Sequence, residues 1–306
     1  MTAGPTFAAM ANNDPLLVTG ASGHLGRRVV ELLTSNPQTQ GRKIIALTRS
    51  PDKLSDFAAR GVEVRQGDFD QPATLQAAFA GVERLLIIST DALDRPGHRL
   101  EQHLAAVEAA RTAGVKHVVY TSLTNPGPES PVTLAPDHWG TETALRESGL
   151  GYTVLRNDLY TDFLLMGLPH AVASGKLVNS YADGKVSYVT REDCAQAAAA
   201  ALSGSFEGKT VLDITGPAAL TQSELAGIVS EITGKAVEYV AVSPETATQN
   251  LQGAGLPLPI AQLLVSFEVA GTRGQLAVVS SAVRELTGKE PKSVREFLSE
   301  QRAALG

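Results

Sequence analysis

LLVTGASGHLG, residues Leu16–Gly26, is the stretch whose reading decides the fold. Leu16, Leu17 and Val18 form a short apolar run that ends at Thr19, and Gly20, Gly23 and Gly26 follow at even spacing. Leu25, Val29, Leu32 and Leu33 then recur at helical spacing, so the run reads as strand, tight turn, helix. Such a turn aims backbone N–H groups and the positive end of a helix at one point, where a pyrophosphate fits. Side chains at those glycines would hold the backbone away from the phosphates. Nucleotide binding is therefore expected, with Thr19, Gly20, Ser22, Gly23, His24, Leu25 and Gly26 making the turn. His24 reads as a polar first-turn residue, not a base.

Outward from this turn, strands are expected at Lys43–Thr48, Val62–Gln66, Arg84–Ile88, His117–Tyr120 and Tyr152–Leu155. Helices alternate with them. Ser50-Pro51 starts one, Asp70 and Pro72 another, and His98–Ala113 a third with Leu100, Leu104, Val107 and Ala110 on one face. Asp137–Ser148 is the next helix, after the proline-rich loop Pro126–Pro136. Strand–helix alternation with short links predicts an α/β fold, a doubly wound parallel sheet of Rossmann type. Past Arg156 the rhythm changes. Gly175–Val189 is β-like, and Thr190–Asp193 and Thr221–Glu224 read as capping boxes, the second opening a helix that Gly234 closes. Strands are expected at Thr210–Ile214 and Val237–Val242, and helices near Ser280–Leu286 and Ser293–Ala303. Leu251–Ile260 is broken by glycines and prolines. The expected division is a flexible leader at 1–14, a nucleotide-binding domain at 15–156 and a smaller C-terminal α/β substrate lobe at 157–306, with the chain free to cross between the two.

Composition narrows the class. At 306 residues, 43% hydrophobic and 19% charged, the chain reads as a soluble globular protein of one large or two modest domains. A net charge of −6 with no basic run argues against nucleic-acid binding. Cys194 is the single cysteine, which excludes an internal disulfide and fits a cytoplasmic protein. No run is long and apolar enough to span a bilayer, and the first residues lack signal-peptide character.

The second expected strand ends in Thr48-Arg49 rather than in a carboxylate. An acidic residue there would grip a ribose 2′-hydroxyl, whereas the Arg49 guanidinium can fork onto a 2′-phosphate, with Lys53 one turn further on. NADPH is accordingly the expected cofactor, with NADH an option. Asp68 and Phe69, after the third strand, are placed to meet an adenine.

TGASGHLG, LTRSPDK, GDFDQPATL, GVERLLIIS, AGVKHVVYTS and YTVLRNDLYTDF together resemble the atypical short-chain dehydrogenases of NmrA type. Within that family the likeness is to type 2 NAD(P)H:quinone oxidoreductases and triphenylmethane dye reductases. The resemblance implies that Gly20, Ser22, Gly23, Leu25, Gly26, Arg49, Lys53, Asp68, Phe69 and Ser89 line the dinucleotide site. Thr121 joins that set. Asn157 and Tyr160 would border the nicotinamide and the substrate.

Ordinary short-chain dehydrogenases use a Tyr-x-x-x-Lys pair on a helix for proton transfer. Here His138 and Glu142 stand in its place, a pattern that suits the quinone reductase resemblance. Tyr181 and Lys185 repeat the spacing in a glycine-bearing turn and read as no dyad. Ser122, after the fifth strand, reads as a hydroxyl that satisfies backbone or cofactor. Without the dyad, reduction of a quinone-like, conjugated or aromatic acceptor, or an activated ketone, rests on positioning a strong hydride acceptor. Tyr160 and His138 are the candidate catalytic donors, and Trp139, Tyr160 and Tyr181 the candidate pocket wall. No metal site is expected: His98 and His103 lie on different helix faces. The expected partner is a small-molecule hydride acceptor, with a homodimer left open. The reading set against the enzyme is a non-catalytic NADP(H)-sensing regulator of the NmrA type. An epimerase with bound NAD fits Arg49 and the absent dyad poorly.

Overall fold

The computed structural model describes residues 14–205 and 208–306, so most of the leader expected at 1–14 lies outside the described residues. In chain order the first half runs β1 (Leu16–Val18), α1 (His24–Ser35), β2 (Ile44–Thr48), α2 (Ser55–Ala58), β3 (Glu63–Gln66) and α3 (Pro72–Ala78). It continues with β4 (Arg84–Ile87), α4 (His98–Thr112), β5 (His117–Leu123), α5 (Ala135–Glu147) and β6 (Gly151–Asn157). The second half holds α6 (Leu164–Ser174), β7 (Lys176–Asn179), β8 (Lys185–Val186), α7 (Arg191–Ser203), β9 (Lys209–Ile214), β10 (Leu220–Thr221) and α8 (Gln222–Thr233). β11 (Glu238–Ala241), α9 (Pro244–Gly253), α10 (Leu258–Thr272), α11 (Ala282–Thr287) and α12 (Val294–Glu300) complete it.

The main sheet has the order β3-β2-β1-β4-β5-β6-β9, and every pair is parallel. β1, β2, β4 and β5 are buried throughout, as strands covered on both faces must be. One face packs against α1, α2 and α7 through Val29, Val30, Leu33, Phe57, Ala198 and Leu202. The other packs against α3, α4 and α5 through Leu75, Phe79, Val107, Ala110 and Leu145. Strand order reverses between β1 and β4, and the crevice outside the carboxyl ends at that point is where such sheets hold ligands.

The division expected at residue 156 leaves the chain free to cross between the lobes, and in the fold α7 and β9 sit with the first core, β9 pairing with β6 from Tyr152↔Lys209 to Asn157↔Ile214. A separate core gathers Leu168, Val172, Val186, Leu225, Val229 and Phe297 from the second half. Two small sheets serve it, β8 with β10 antiparallel and β7 with β11 parallel.

Several elements differ from expectation. β5 runs on to Leu123 because Thr121, Ser122 and Leu123 pair with Leu155, Arg156 and Asn157. On α4 Leu104 is 41% exposed, and the buried face begins with Arg99, Gln102 and His103 before Val107 and Ala110 take over. The Leu100–Leu104 face is thus corrected: the start of this helix is turned by polar contacts. Ser50 makes no side-chain cap. The Thr221–Glu224 capping box forms reciprocally; at Thr190 the hydroxyl caps Asp193 N at 3.0 Å, while the Asp193 carboxylate accepts from that hydroxyl and from Lys292 N.

Candidate active site

The β1–α1 turn is built for close approach. Gly20 adopts φ +59°, and Gly23 N donates to Gly20 O at 2.9 Å. A Cβ on Gly26 would stand 2.3 Å from Gly20 O, so only glycine lets α1 start this tightly against the turn. Thr19 lies behind the turn, fully buried, its hydroxyl accepting from Ile88 N at 3.0 Å and tying β1 to the end of β4. A cleft of about 690 Å³ opens outside the strand ends. Gly20, Ser22, Gly23, His24, Leu25, Gly26, Arg49, Phe69, Ser89, Thr121 and Tyr160 all line it, as does Phe163. That volume and the glycine cradle fit a dinucleotide. Thr48 Oγ1 donates to Ser22 Oγ at 3.0 Å, and Thr121 Oγ1 accepts from Ser89 N at 2.9 Å, so two strand ends fix the neighbouring loops.

Some expected residues stand elsewhere. Lys53 does not line the cleft; its carbonyl accepts from Arg27 Nη2 at 2.6 Å. Asp68 closes its own turn, its carboxylate accepting from Asp70 N at 3.1 Å, and Asp70 occupies the cleft wall in its stead. Asn157 lies behind Tyr160 and donates to its hydroxyl at 3.2 Å. Trp139 sits on the outer side of α5 with the Arg146 guanidinium 4.6 Å from its ring centroid. Tyr181 packs into the second core, against a backbone so close that a Cβ on Gly271 would meet its ring at 2.5 Å. Trp139 and Tyr181 are therefore not cleft residues.

His138 needs the fullest correction. It is buried below the cleft wall with both ring nitrogens engaged. Arg99 Nη2, which can only donate, meets His138 Nε2 at 3.0 Å, so that nitrogen accepts and the ring proton sits on Nδ1, 2.9 Å from the Tyr120 hydroxyl. His103 Nε2 accepts from Thr90 N at 3.0 Å, which places its proton on Nδ1 toward Thr141 Oγ1, also at 3.0 Å. Thr141 in turn donates to Asp137 O at 2.7 Å. Burial and the Arg99 charge push both imidazoles down, His103 to about 3 and His138 well below its ordinary value. Both stay neutral at physiological pH, and His138 has no proton to offer a ligand.

Glu142 and Ser122 are likewise engaged. The Glu142 carboxylate takes Arg156 bidentately at 2.9 and 2.7 Å and accepts from Ser122 Oγ at 2.7 Å. Burial raises the Tyr160 phenol above its ordinary range, and its ring lies 5.6 Å from Phe163 with the Arg191 guanidinium near both.

Sequence reasoning missed a second bank of the cleft: Thr90, Asp91, Asp94, His98, Arg99 and Gln102, from the β4–α4 loop and the first turns of α4. His98 bridges Asp70 at 2.6 Å and Asp94 at 2.5 Å, and both carboxylates raise its pKa. Arg99 donates from Nε to Thr90 O at 2.6 Å. The available signal was topological, since a helix start directly after a strand at the switch point faces the same crevice as the glycine turn. Among the described residues no group of His, Cys, Asp and Glu is placed to hold a metal ion, and no helix is long and apolar enough to cross a membrane.

Comparison with known proteins agrees with this architecture. The NmrA-like family model matches residues 12–298. Quinone oxidoreductase 2 of Escherichia coli is 37% identical over 286 residues, covering 93% of this chain and 97% of that protein. An NAD(P)H azoreductase of Xenophilus azovorans is 31% identical over 95% of this chain and 99% of its own length. The crystal structure of the Escherichia coli NADPH-dependent quinone oxidoreductase complexed with NADPH superposes with a TM-score of 0.87 at 36% identity, over 94% of this chain and 99% of that one. The Citrobacter triphenylmethane reductase superposes at 0.85 with 38% identity, over 95% and 99%. With a matching family model across nearly its whole length and a glycine turn at a Rossmann switch point, this chain belongs to the NmrA-like family.

Proposed function

We propose that this protein is an NADPH-dependent oxidoreductase that reduces a quinone-like, conjugated or aromatic acceptor. The observation that carries the reading is one continuous cleft with the glycine turn and Arg49 at one end and the Tyr160–Phe163 aromatic wall at the other. Relatives named as quinone, azo and triphenylmethane reductases support it. A bound dihydronicotinamide supplies the hydride. The chain's own residues do the rest. The turn at Gly20–Gly26 receives the pyrophosphate with backbone N–H groups. Arg49 receives the 2′-phosphate, and Ser89 and Thr121 shape the floor. Tyr160 and Phe163 offer a flat wall to a flat acceptor, and Asn157 holds the Tyr160 hydroxyl.

A proton relay through a Tyr–Lys dyad has no counterpart here, because Glu142 is neutralised by Arg156 and His138 lies under the wall. Positioning is then the main contribution, and acceptors that take a hydride readily are the ones served.

The test follows loss of the near-ultraviolet absorbance of NADPH or NADH with purified protein and benzoquinone, a naphthoquinone, a triphenylmethane dye and an aryl ketone. Each is read against an enzyme-free blank. Turnover above blank, faster with NADPH, is the expected result. Tight NADPH binding with no turnover across the panel would favour an NADP(H)-sensing regulator.

A further inference from the structure

Arg99 is 5% exposed, yet it belongs to the cleft wall together with Thr90, Tyr160 and Phe163. Two of its three nitrogens are engaged, Nε with Thr90 O and Nη2 with His138 Nε2. Nη1 is buried and has no hydrogen-bond partner among the described residues. It faces Asp137 Oδ2 at 3.9 Å, too far for a hydrogen bond. Burial is the main influence on its charge and lowers its pKa; Tyr120, Asp137 and Asp91 act on it in the opposite sense. Four hydrogen bonds in the polar cluster beneath it have a fixed direction: Thr90 N to His103, His103 to Thr141, Thr141 to Asp137 O, and His138 to Tyr120. The cluster thus holds a guanidinium rigidly, with one charged nitrogen ion-paired to Asp137 but without a hydrogen bond. Buried donors without partners are rare and unfavourable, and a ligand oxygen is the usual remedy.

Topology puts this donor at the reacting end. Arg49 follows β2 on one side of the switch point. Arg99 follows β4 on the other side and reaches His138 of α5, which follows β5. It therefore stands across the cleft from the end that takes the 2′-phosphate, with Tyr160 and Phe163 as companions.

We propose that Arg99 is the oxyanion-stabilising residue of the acceptor site, its guanidinium stabilising the oxygen that gains charge when a quinone-type carbonyl compound is reduced. The inference rests on the reductase reading above. Hydride addition to a quinone breaks one C–H bond of the dihydronicotinamide and delivers that hydrogen with both electrons to the quinone. The product is a hydroquinone monoanion, which takes its second proton from water. A preorganised, dehydrated cation beside the new phenolate lowers that barrier without taking part in proton transfer. Hydride addition to a triarylmethyl cation differs. It forms a C–H bond at the central carbon, cancels the positive charge and creates no oxyanion.

The two acceptors separate this role from a structural one. Arg99→Met should lower kcat/KM for a naphthoquinone about 100-fold. Arg99→Lys should restore part of that loss, and on a triphenylmethane dye, whose reduction creates no oxyanion, both variants should lose at least tenfold less than on the naphthoquinone. Equal losses on both acceptors would overturn the proposal and reduce Arg99 to a support for the Thr90 loop. If wild type reduces neither acceptor, the reductase reading itself fails, whatever Arg99 does. A second readout needs no turnover and no variant. With wild-type protein saturated in NADP+, 4-nitrophenol should bind as its yellow phenolate, with an ionisation midpoint about one pH unit or more below that in water, a tenfold preference for the anion. Absence of binding, or a bound phenol with an unshifted or raised midpoint, would overturn the proposal. Loss of the shift in Arg99→Met would confirm that this guanidinium causes it.

Discussion

Arg49 and His98 show how differently single residues can be read. Arg49 follows β2 directly and lines the cleft, where its charge helps to lower the Asp70 carboxyl, and its place follows from a strand pattern that ends without an acidic residue. Arg49→Ala should therefore weaken NADPH far more than NADH, by about tenfold or more for a lost charge-assisted contact. Equilibrium titration with both cofactors checks it, and equal losses would remove the phosphate assignment. His98 was legible as a helix residue but not as a bridge, because Asp70 and Asp94 come to it from separate loops. The two carboxylates raise its pKa above the ordinary value of 6.5, and Gln102 supports Asp70 at 2.8 Å. A raised pKa in the fold means that the bridge's stabilisation is fully present below about pH 6.5 and is lost as the pH rises through the higher folded value. The melting temperature of wild type should fall across that window more than that of His98→Gln. Asp68 and His138 illustrate the opposite case: each has the right chemistry at nearly the right place, and a local turn or a buried partner takes up its side chain.

At the level of elements, legibility follows how local the cause is. The β1–α1 unit is encoded within a dozen residues, so its turn could be drawn from spacing alone. Its tightest point gives a prediction. Gly26→Ala sets a methyl group against the Gly20 carbonyl, a backbone atom that cannot swing aside, and should destabilise the fold by about 1–3 kcal/mol. Calorimetry and NADPH titration should show a lowered melting temperature and lost affinity together. The start of α4 was opaque for the converse reason: Arg99, Gln102 and His103 are buried by partners on other elements, which no periodicity reveals. α9 and α10 went unread as well. The glycines and prolines at 253–259 look like an interruption, and they are one, but only between two helices ending at Gly253 and starting at Leu258.

For the molecule as a whole, the order of secondary structure announced the sheet, while the membership of α7 and β9 emerged only in three dimensions. α7 lays Ala195, Ala197, Ala198, Ala201 and Leu202 against the first core, and its last carbonyls accept from the Arg84 side chain of β4, Leu202 O at 2.8 Å and Ala201 O at 3.1 Å. Residues 15–156 alone would expose that core and the bare edge of β6. That fragment should not yield a folded monomer, whereas the full chain should unfold in one calorimetric transition. Two separate transitions, or a soluble fragment with native circular dichroism, would contradict this.

The threading that makes the cores inseparable also bears on traffic through the cleft. The chain leaves the first core after β6, returns with α7, leaves again after β9, comes back with α11 and departs for α12. Each passage is a strap across the same seam. Two halves strapped in this way resist swinging apart like a jaw, so entry and exit of a dinucleotide fall to the rim. There the side chain of Phe163, which lines the cleft and is 51% exposed, can turn aside while the frame stays closed.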